Sequence, residues 1–355
     1  MQPSLLLELV EKYFPGLVVS VYEELVTQND YSFLRDLNVQ FSVTGTWESI
    51  QGINKNVMAD VIALDASIPY KTANPLKVAT GDIPKVGTKR QLNETSLTML
   101  QMLIARDGQD TAQVRKQVFE HVAQVIQGQL EKYEYMYLNG LSNGGVVVID
   151  QNTNVGTEIR VNYGMPADNE SFASIVWGQA NYTPLSDIQA MIDNAAAKGY
   201  AITKLKMSQV TFNLIKNSDE AKSLAYPLAQ NPPAITASAL NDLLLNDYGV
   251  TVEIIKKTSV YEKDGVQTVV NPWEAGQIIG LTEGAVGTFV WSEVAEMNFP
   301  SNACNYQRAG AQNFILVKKY RTVDPALAEF TASESRALPV IAAEKIFKLD
   351  TTATS

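Results

Sequence analysis

Between Val114 and Tyr137 the apolar residues Val114, Val118, Val122, Val125, Ile126, Leu130, Tyr133 and Tyr137 recur three and four apart, with Gln, Glu, Lys and Arg opposite them. This is the period of a single helix face. Asp110, with Gln113 three residues on, makes a capping-box start, and Asn139-Gly140 supplies a stop. The spacing predicts one helix over about 111–138, roughly 28 residues and ~42 Å long. That is unusual for a globular domain and constrains whatever packs around it.

The segments on either side are shorter. Leu5, Leu6, Leu9 and Val10, then Val18, Val21, Tyr22 and Leu25, predict helix to about Asp30, broken at Pro15-Gly16. Strict alternation predicts a strand over 37–44, and a second strand is expected over 57–64. Residues 65–94 carry Pro69, Pro75, Gly81, Pro84 and Gly87 among polar and β-forming residues and read as an extended two-stranded excursion. Its large apolar side chains are few, chiefly Ile68, Tyr70, Leu76, Ile83 and Leu92, so it is expected to serve assembly more than subunit folding.

Beyond the long helix a β-rich stretch covers 146–161, and the chain then alternates helix and strand. Thr183-Pro184 opens a helix bearing Leu185, Ile188, Met191, Ile192 and Ala195, closed by Lys198-Gly199. A strand is expected near 201–207, helices near 209–217 and 237–247, and a strand over 250–255. Asp264-Gly265 marks a hairpin. Further strands follow at 277–281, 286–291, 314–317 and around 338–347. The pattern is α+β in two lobes, the second inserted between parts of the first.

Chemistry is conspicuously missing from the sequence. The 355 residues, 46% hydrophobic and 19% charged, suit about two domains with buried cores. A net charge of −10 lacks the electrostatic footprint of a nucleic-acid binder. One histidine, His121, and one cysteine, Cys304, cannot supply a zinc ligand set, and no disulfide can form within the chain. His121 reads as a surface or interface residue and Cys304 as a small packing residue. Asp150-Gln-Asn-Thr-Asn imitates the start of an EF-hand, but Val155 stands where Gly is needed and Val161 where Glu is needed. Gly81 to Gly87 lacks the G-K-[ST] of a phosphate loop, and there is no G-x-S-x-G elbow. The N-terminus reads as no secretory leader, and no apolar run approaches the ~20 residues of a membrane span. No catalytic, metal or cofactor site is expected, and a soluble chain in a reducing compartment is.

Four stretches carry a family resemblance: Asp65-Ala-Ser-Ile-Pro-Tyr with Ile83-Pro-Lys-Val-Gly-Thr-Lys-Arg; Asp187-Ile-Gln-Ala with Ile202 to Met207 and the helix holding Phe212; Asp247-Tyr-Gly-Val-Thr-Val with Tyr261-Glu-Lys-Asp-Gly and Ile278-Ile-Gly-Leu; and Asp324-Pro-Ala-Leu-Ala-Glu-Phe-Thr-Ala-Ser with Leu338-Pro-Val-Ile. Their order resembles the lambda-type major capsid protein E family of tailed phages, with the Hong Kong 97-like capsid fold. The resemblance implies an N-terminal arm and first strands over 1–58 and an E-loop over 59–95. A peripheral domain with a spine helix at about 111–138 would cover 96–182, an axial α/β domain 183–300, and a return to peripheral strands 301–355. It implies a non-enzymatic subunit without cofactors, self-assembling into pentamers and hexamers of an icosahedral shell around double-stranded DNA that is held without sequence-specific contacts. Scaffolding, portal and decoration proteins are the implied further partners, with no membrane involved, and the virion, assembled in the host cytoplasm, is the implied location. A nanocompartment shell of the same fold is the nearest alternative, and an α/β ligand-binding protein or enzyme built on 183–290 is the alternative from another class.

Charge gives the candidate intersubunit contacts. The excursion holds Lys71, Lys77, Lys85, Lys89 and Arg90 against Asp65, Asp82 and Glu94, a balance of +2. The first thirty residues hold Glu8, Glu11, Glu23, Glu24 and Asp30 against Lys12, a balance of −4. The excursion is therefore expected over an acidic surface of a neighbouring subunit, its N-terminal arm included.

Overall fold

The long helix runs from Ala112 to Ser142, about 46 Å, and outlasts its expected stop. Asn139 and Gly140 lie inside it for tertiary reasons. Asn139 Oδ1 accepts from the Val148 amide at 3.1 Å. A Cβ on Gly140 would come within 2.7 Å of Val147 Cγ2 and 2.9 Å of Ile341 Cδ1, so this glycine permits close packing and does not end the helix. The reversal comes at Gly144 and Gly145, with φ of 65° and 81°. At the other end the Thr111 hydroxyl accepts from the Val114 amide at 3.4 Å, while Asp110 lies outside the described residues.

The computed structural model describes residues 2–4, 6–51, 77–108, 111–149, 158–227, 233–324 and 326–354. The expected strand over 57–64 and the EF-hand imitation at 150–155 lie outside them. Two units each draw on three stretches of chain: the first on 1–47, 81–135 and 288–340, the second on 48–80, 136–287 and 341–355.

In the first unit a six-stranded sheet has the order Leu37–Phe41, Gly287–Ser292, Ala328–Ile341, Ile315–Thr322, Asn305–Ala309, with Lys85–Leu92 also paired to Ala328–Ile341. The long helix buries Val114, Val118, Val122, Val125, Ile126 and Leu130 almost completely. Tyr133 stacks edge-on to Phe289 at 5.1 Å and to Phe314 at 6.1 Å. The N-terminal helix Leu7–Gln28 runs straight through Pro15, against expectation. The bond that Pro15 cannot donate is outweighed by burial of Leu9, Val10, Phe14 and Val18 along one face, with Phe14 stacked 6.5 Å from Phe119. A helix at Glu94–Asp107 was not anticipated, although Asn93 caps it by accepting from the Ser96 amide at 2.9 Å and Leu97 and Leu100 are buried.

The expected two-stranded excursion over 65–94 needs correction at its returning end. Lys85–Leu92 is a strand of the first unit's sheet, antiparallel to Glu329–Arg336. The fully buried Gln129 of the long helix holds it there. Its Nε2 donates to the Val86 carbonyl at 3.2 Å and to the Ser333 carbonyl at 3.1 Å, and its Oε1 accepts from Ser335 at 2.6 Å. One side chain thereby satisfies backbone carbonyls of two sequence-distant strands and a serine hydroxyl of the second.

The second unit is built on a five-stranded mixed sheet in the order Glu170–Ala173, Ile346–Thr354, Gln277–Thr282, Ile202–Ser208, Thr251–Ile255. Helices Pro184–Ala197, Gln209–Asn217, Asp219–Ala225 and Ala237–Tyr248 pack against it. Its core is apolar, from Leu185, Ile188, Met191, Leu205, Met207, Phe212, Ile278 and Phe347. Most of these elements fall where the periodicity predicts. The exception at the C-terminal end is the run around 338–347, which divides between strands Ala328–Ile341 and Ile346–Thr354 across a 3₁₀ turn at Ala343–Lys345. The turn falls on Ala343-Glu344-Lys345, which holds none of the Gly, Asn or Asp that marks a turn in sequence.

Candidate assembly surface

The chain leaves the first unit's sheet and returns to it as a ribbon of Thr46–Gln51 paired with Lys77–Asp82. Arg336 staples the root of this ribbon: its Nε donates to the Ile83 carbonyl at 2.9 Å and its Nη2 to the Gly45 carbonyl at 3.0 Å. The Gly45 carbonyl also accepts from the Ile83 amide at 3.0 Å. Gly45 has φ of 72°, and a Cβ there would run into the Arg336 guanidinium, so glycine is required on both counts. Buried Trp47 lies against Gly81, where an added Cβ would meet the indole nitrogen at 2.9 Å.

The candidate contact residues distribute as follows. Lys85 ion-pairs with Glu334 of its own unit at 2.7 Å with more than half of its side chain exposed. Glu334 also receives Lys318 at 2.6 Å, and Lys318 pairs with Glu296 at 2.8 Å. Burial pushes the Glu334 carboxyl up, but hydrogen bonds and charge from Lys318 and Lys85 outweigh it and hold the group below the ordinary carboxylate range. Lys89 lies over the Phe330 ring, 4.9 Å from its centroid, and Arg90 is exposed on the same strand. Lys77 begins its strand, and Lys71 lies outside the described residues. Glu8, Glu11, Glu23 and Glu24 are all exposed on the N-terminal helix, where Glu24 accepts from Gln28 at 2.8 Å.

Arg336, Glu334, Gln129 and Trp47 escaped the reading of the sequence. Arg336 and Glu334 sit in an ordinary alternating strand and meet partners some 250 positions away, so no local spacing marks them. His121 is half-buried; burial lowers its pKa, the neighbouring Glu120 opposes this, and Lys319 and Arg90 add to it. Among the described residues, no three His, Cys, Asp or Glu side chains converge as a metal site, and no helix is long and apolar enough to cross a membrane.

The fold has solved counterparts. A prophage capsid protein of E. coli CFT073 superimposes with a TM-score of 0.50 at 14% identity, over 78% of this chain and 79% of that one. A phage-related protein from Bordetella bronchiseptica RB50 gives 0.51 at 10% identity, over 95% and 96%. At such identities the likeness speaks for the fold alone. No curated protein is similar in sequence. The sequence from 72 to 350, well over half of the chain, matches the family described as phage major capsid protein E, and with the Hong Kong 97-like fold around the long helix the chain belongs to that family.

Proposed function

We propose that this chain, a non-enzymatic structural subunit of a phage head, assembles as pentamers and hexamers into an icosahedral shell around double-stranded DNA. The family match over 72–350 carries the reading. In it, Ala112–Ser142 is the spine helix, the stretch from 1–58 the N-terminal arm with first strands, 59–95 the E-loop, 183–300 the axial domain, and 96–182 with 301–355 the peripheral domain. The compact units suggest one amendment, since strand Ile346–Thr354 is hydrogen-bonded into the sheet of the second unit. A net charge of −10 suits a container wall, because one that gripped phosphate tightly would resist packaging and release. Lys71, Lys77, Lys85, Lys89 and Arg90 are the proposed contacts to a neighbour's acidic arm, formed by Glu8, Glu11, Glu23 and Glu24. Scaffolding, portal and decoration proteins are the further partners, and assembly takes place in the host cytoplasm.

Particles purified after expression in infected or lysogenic cells test this by negative-stain microscopy and the ratio of absorbance at 260 and 280 nm. Large closed shells rich in nucleic acid are expected. Small shells filled with protein would overturn the DNA assignment, and monomers that never assemble would overturn the shell itself. Changing Lys85, Lys89 and Arg90 together to Glu is expected to lower assembly yield, most strongly at low salt.

A further inference from the structure

Arg336 stands where both legs of the excursion meet the first unit's sheet. In the register of Lys85–Leu92 against Ala328–Ile341 it is paired with Lys85, the first residue of the returning strand. Its guanidinium reaches past that pair to the Ile83 carbonyl on the returning leg and the Gly45 carbonyl on the outgoing one. The side chain is half-buried, and among the described residues its hydrogen bonds go to these two carbonyls and to no carboxylate. Charge neutralisation therefore does not explain it. A planar guanidinium supplies donors at a fixed angle, so two carbonyls can be held in one relative orientation; an ammonium on a flexible stem cannot do this.

The neighbouring groups leave the root a single arrangement. The Gly45 carbonyl also accepts from the Ile83 amide, and the guanidinium lies where a side chain on Gly45 would be. Ile83 is 2% exposed, and Trp47, the second residue of the outgoing strand, is 4% exposed with its indole against Gly81 of the returning strand. All of these residues belong to the first unit. Beyond them, Thr46–Gln51 and Lys77–Asp82 pair with each other and with no further strand among the described residues. A two-stranded ribbon holds its direction poorly by itself. At ~3.3 Å per residue such strands are roughly 20 Å long, so a turn of about 10° at the root moves the far end by roughly 3 Å. A packed contact between subunits does not tolerate a shift of that size.

We infer that Arg336 is a positioning residue for shell assembly: by clamping Gly45 and Ile83 together it fixes the direction in which the ribbon leaves the sheet, and so where the excursion meets a second copy of this chain. This role rests on the shell assembly proposed above and identifies what aims the excursion. The arginine acts through the ribbon, so its loss disturbs assembly while the subunit stays folded.

The test is the full chain carrying Arg336→Lys, which keeps the charge and gives up the fork, and separately Gly45→Ala, which displaces the guanidinium without altering it. Ile126→Val, the loss of one fully buried methylene elsewhere in the same unit, is the control for destabilisation. Both root variants are expected to unfold in one cooperative transition. Peptide hydrogen exchange should rise in Thr46–Gln51 and Lys77–Asp82 and stay unchanged in Ile315–Thr322. The subunit concentration needed for shells to form should rise on the order of tenfold, the size that loss of one charge-assisted hydrogen bond supports. The Ile126→Val chain should form shells at the same concentration as the unaltered chain. Normal assembly of either root variant, or unchanged exchange in the ribbon, overturns the inference. Unfolding of either root variant does so too, because the clamp would then support the subunit's own core. So does failed assembly of the control, because destabilisation alone would then account for the effect. If the unaltered chain forms no shells, the proposed function falls and this role with it, a result seen without any variant.

Discussion

The two units bury their interiors in different ways. In the second, the sheet and helices close over a core of Leu, Ile, Met and Phe contributed largely by one continuous stretch of chain. In the first, the contact between the long helix and its sheet is threaded with polar groups. Besides Gln129, Tyr133 and Ser335 hydroxyls lie 2.5 Å apart, and Ser333 donates to the Val125 carbonyl at 2.7 Å. Lys319 is completely buried, donates to the Val118 carbonyl at 2.9 Å and lies 3.6 Å from equally buried Glu329, which also receives the Ser4 hydroxyl. Apolar packing tolerates slippage as long as volume is kept, whereas a buried donor has one correct partner. The first unit assembles strands from three distant stretches, and polar seams of this kind specify which ones meet.

The comparison can be broken by four measurements, each by urea unfolding with hydrogen exchange followed in peptides from each unit. Lys319→Met should have the largest effect, destabilising the first unit by about 3–5 kcal/mol because Glu329 is left buried without its cation. Adding Glu329→Leu should recover much of that loss; if it does not, the pair contributes more than charge compensation. Leu205→Ala in the second unit should cost about 2–5 kcal/mol through a cavity, with exchange rising in that unit. Gln129→Leu should cost about 1–3 kcal/mol by removing the side-chain donor to the Val86 and Ser333 carbonyls and the acceptor of the Ser335 hydroxyl, which keeps Tyr133 as its partner. A neutral outcome would mean that the seam is dispensable and the contrast between the units is only compositional.

The smallest effect is in pH. The His121 pKa is lowered from 6.5 in the folded chain, so the unfolded chain binds the proton more readily. Its contribution to stability is complete above about pH 6.5 and is lost as pH falls toward the folded value. Glu334, held below 4.5, acts in the same direction at lower pH, its contribution vanishing as pH falls through its folded value. Glu344 of the second unit acts in the opposite direction: burial raises its pKa above 4.5, so its contribution is present below that pH and is lost as pH rises through the folded value. His121→Gln should flatten the decline in stability between pH 7 and 5, and an unchanged slope would show that the histidine carries no part of it.

The limits of legibility follow the same division. Asp264-Gly265, Thr183-Pro184 and the Leu185–Ala195 spacing each identify their element, because turn chemistry and helix period act within a few residues. The long helix was legible through its valines, while its end was not, since whether Gly140 stops a helix or lets Val147 and Ile341 approach depends on residues outside the helix. The excursion was legible only as an excursion. A deletion of Ser67–Thr88 would remove Lys85–Thr88 from the first unit's sheet, so a cut meant to affect assembly alone has to end before Lys77. The candidate lysines were visible as a local charge balance, but Glu334 as the partner of Lys85 was not.

By itself the sequence determined the α+β composition, the long amphipathic helix, the hairpin turn, the lack of catalytic motifs and, through motif order, a resemblance to capsid proteins. All of these depend on interactions or patterns along a continuous stretch of chain. The tertiary structure alone decided that Lys85–Leu92 lies in the first unit's sheet, that Arg336 closes the root of the excursion, that Pro15 is carried inside a helix and that Lys319 and Glu329 share a buried site. Each of those depends on groups brought together from distant positions, where burial makes an unmet hydrogen bond or charge costly enough to override local preference.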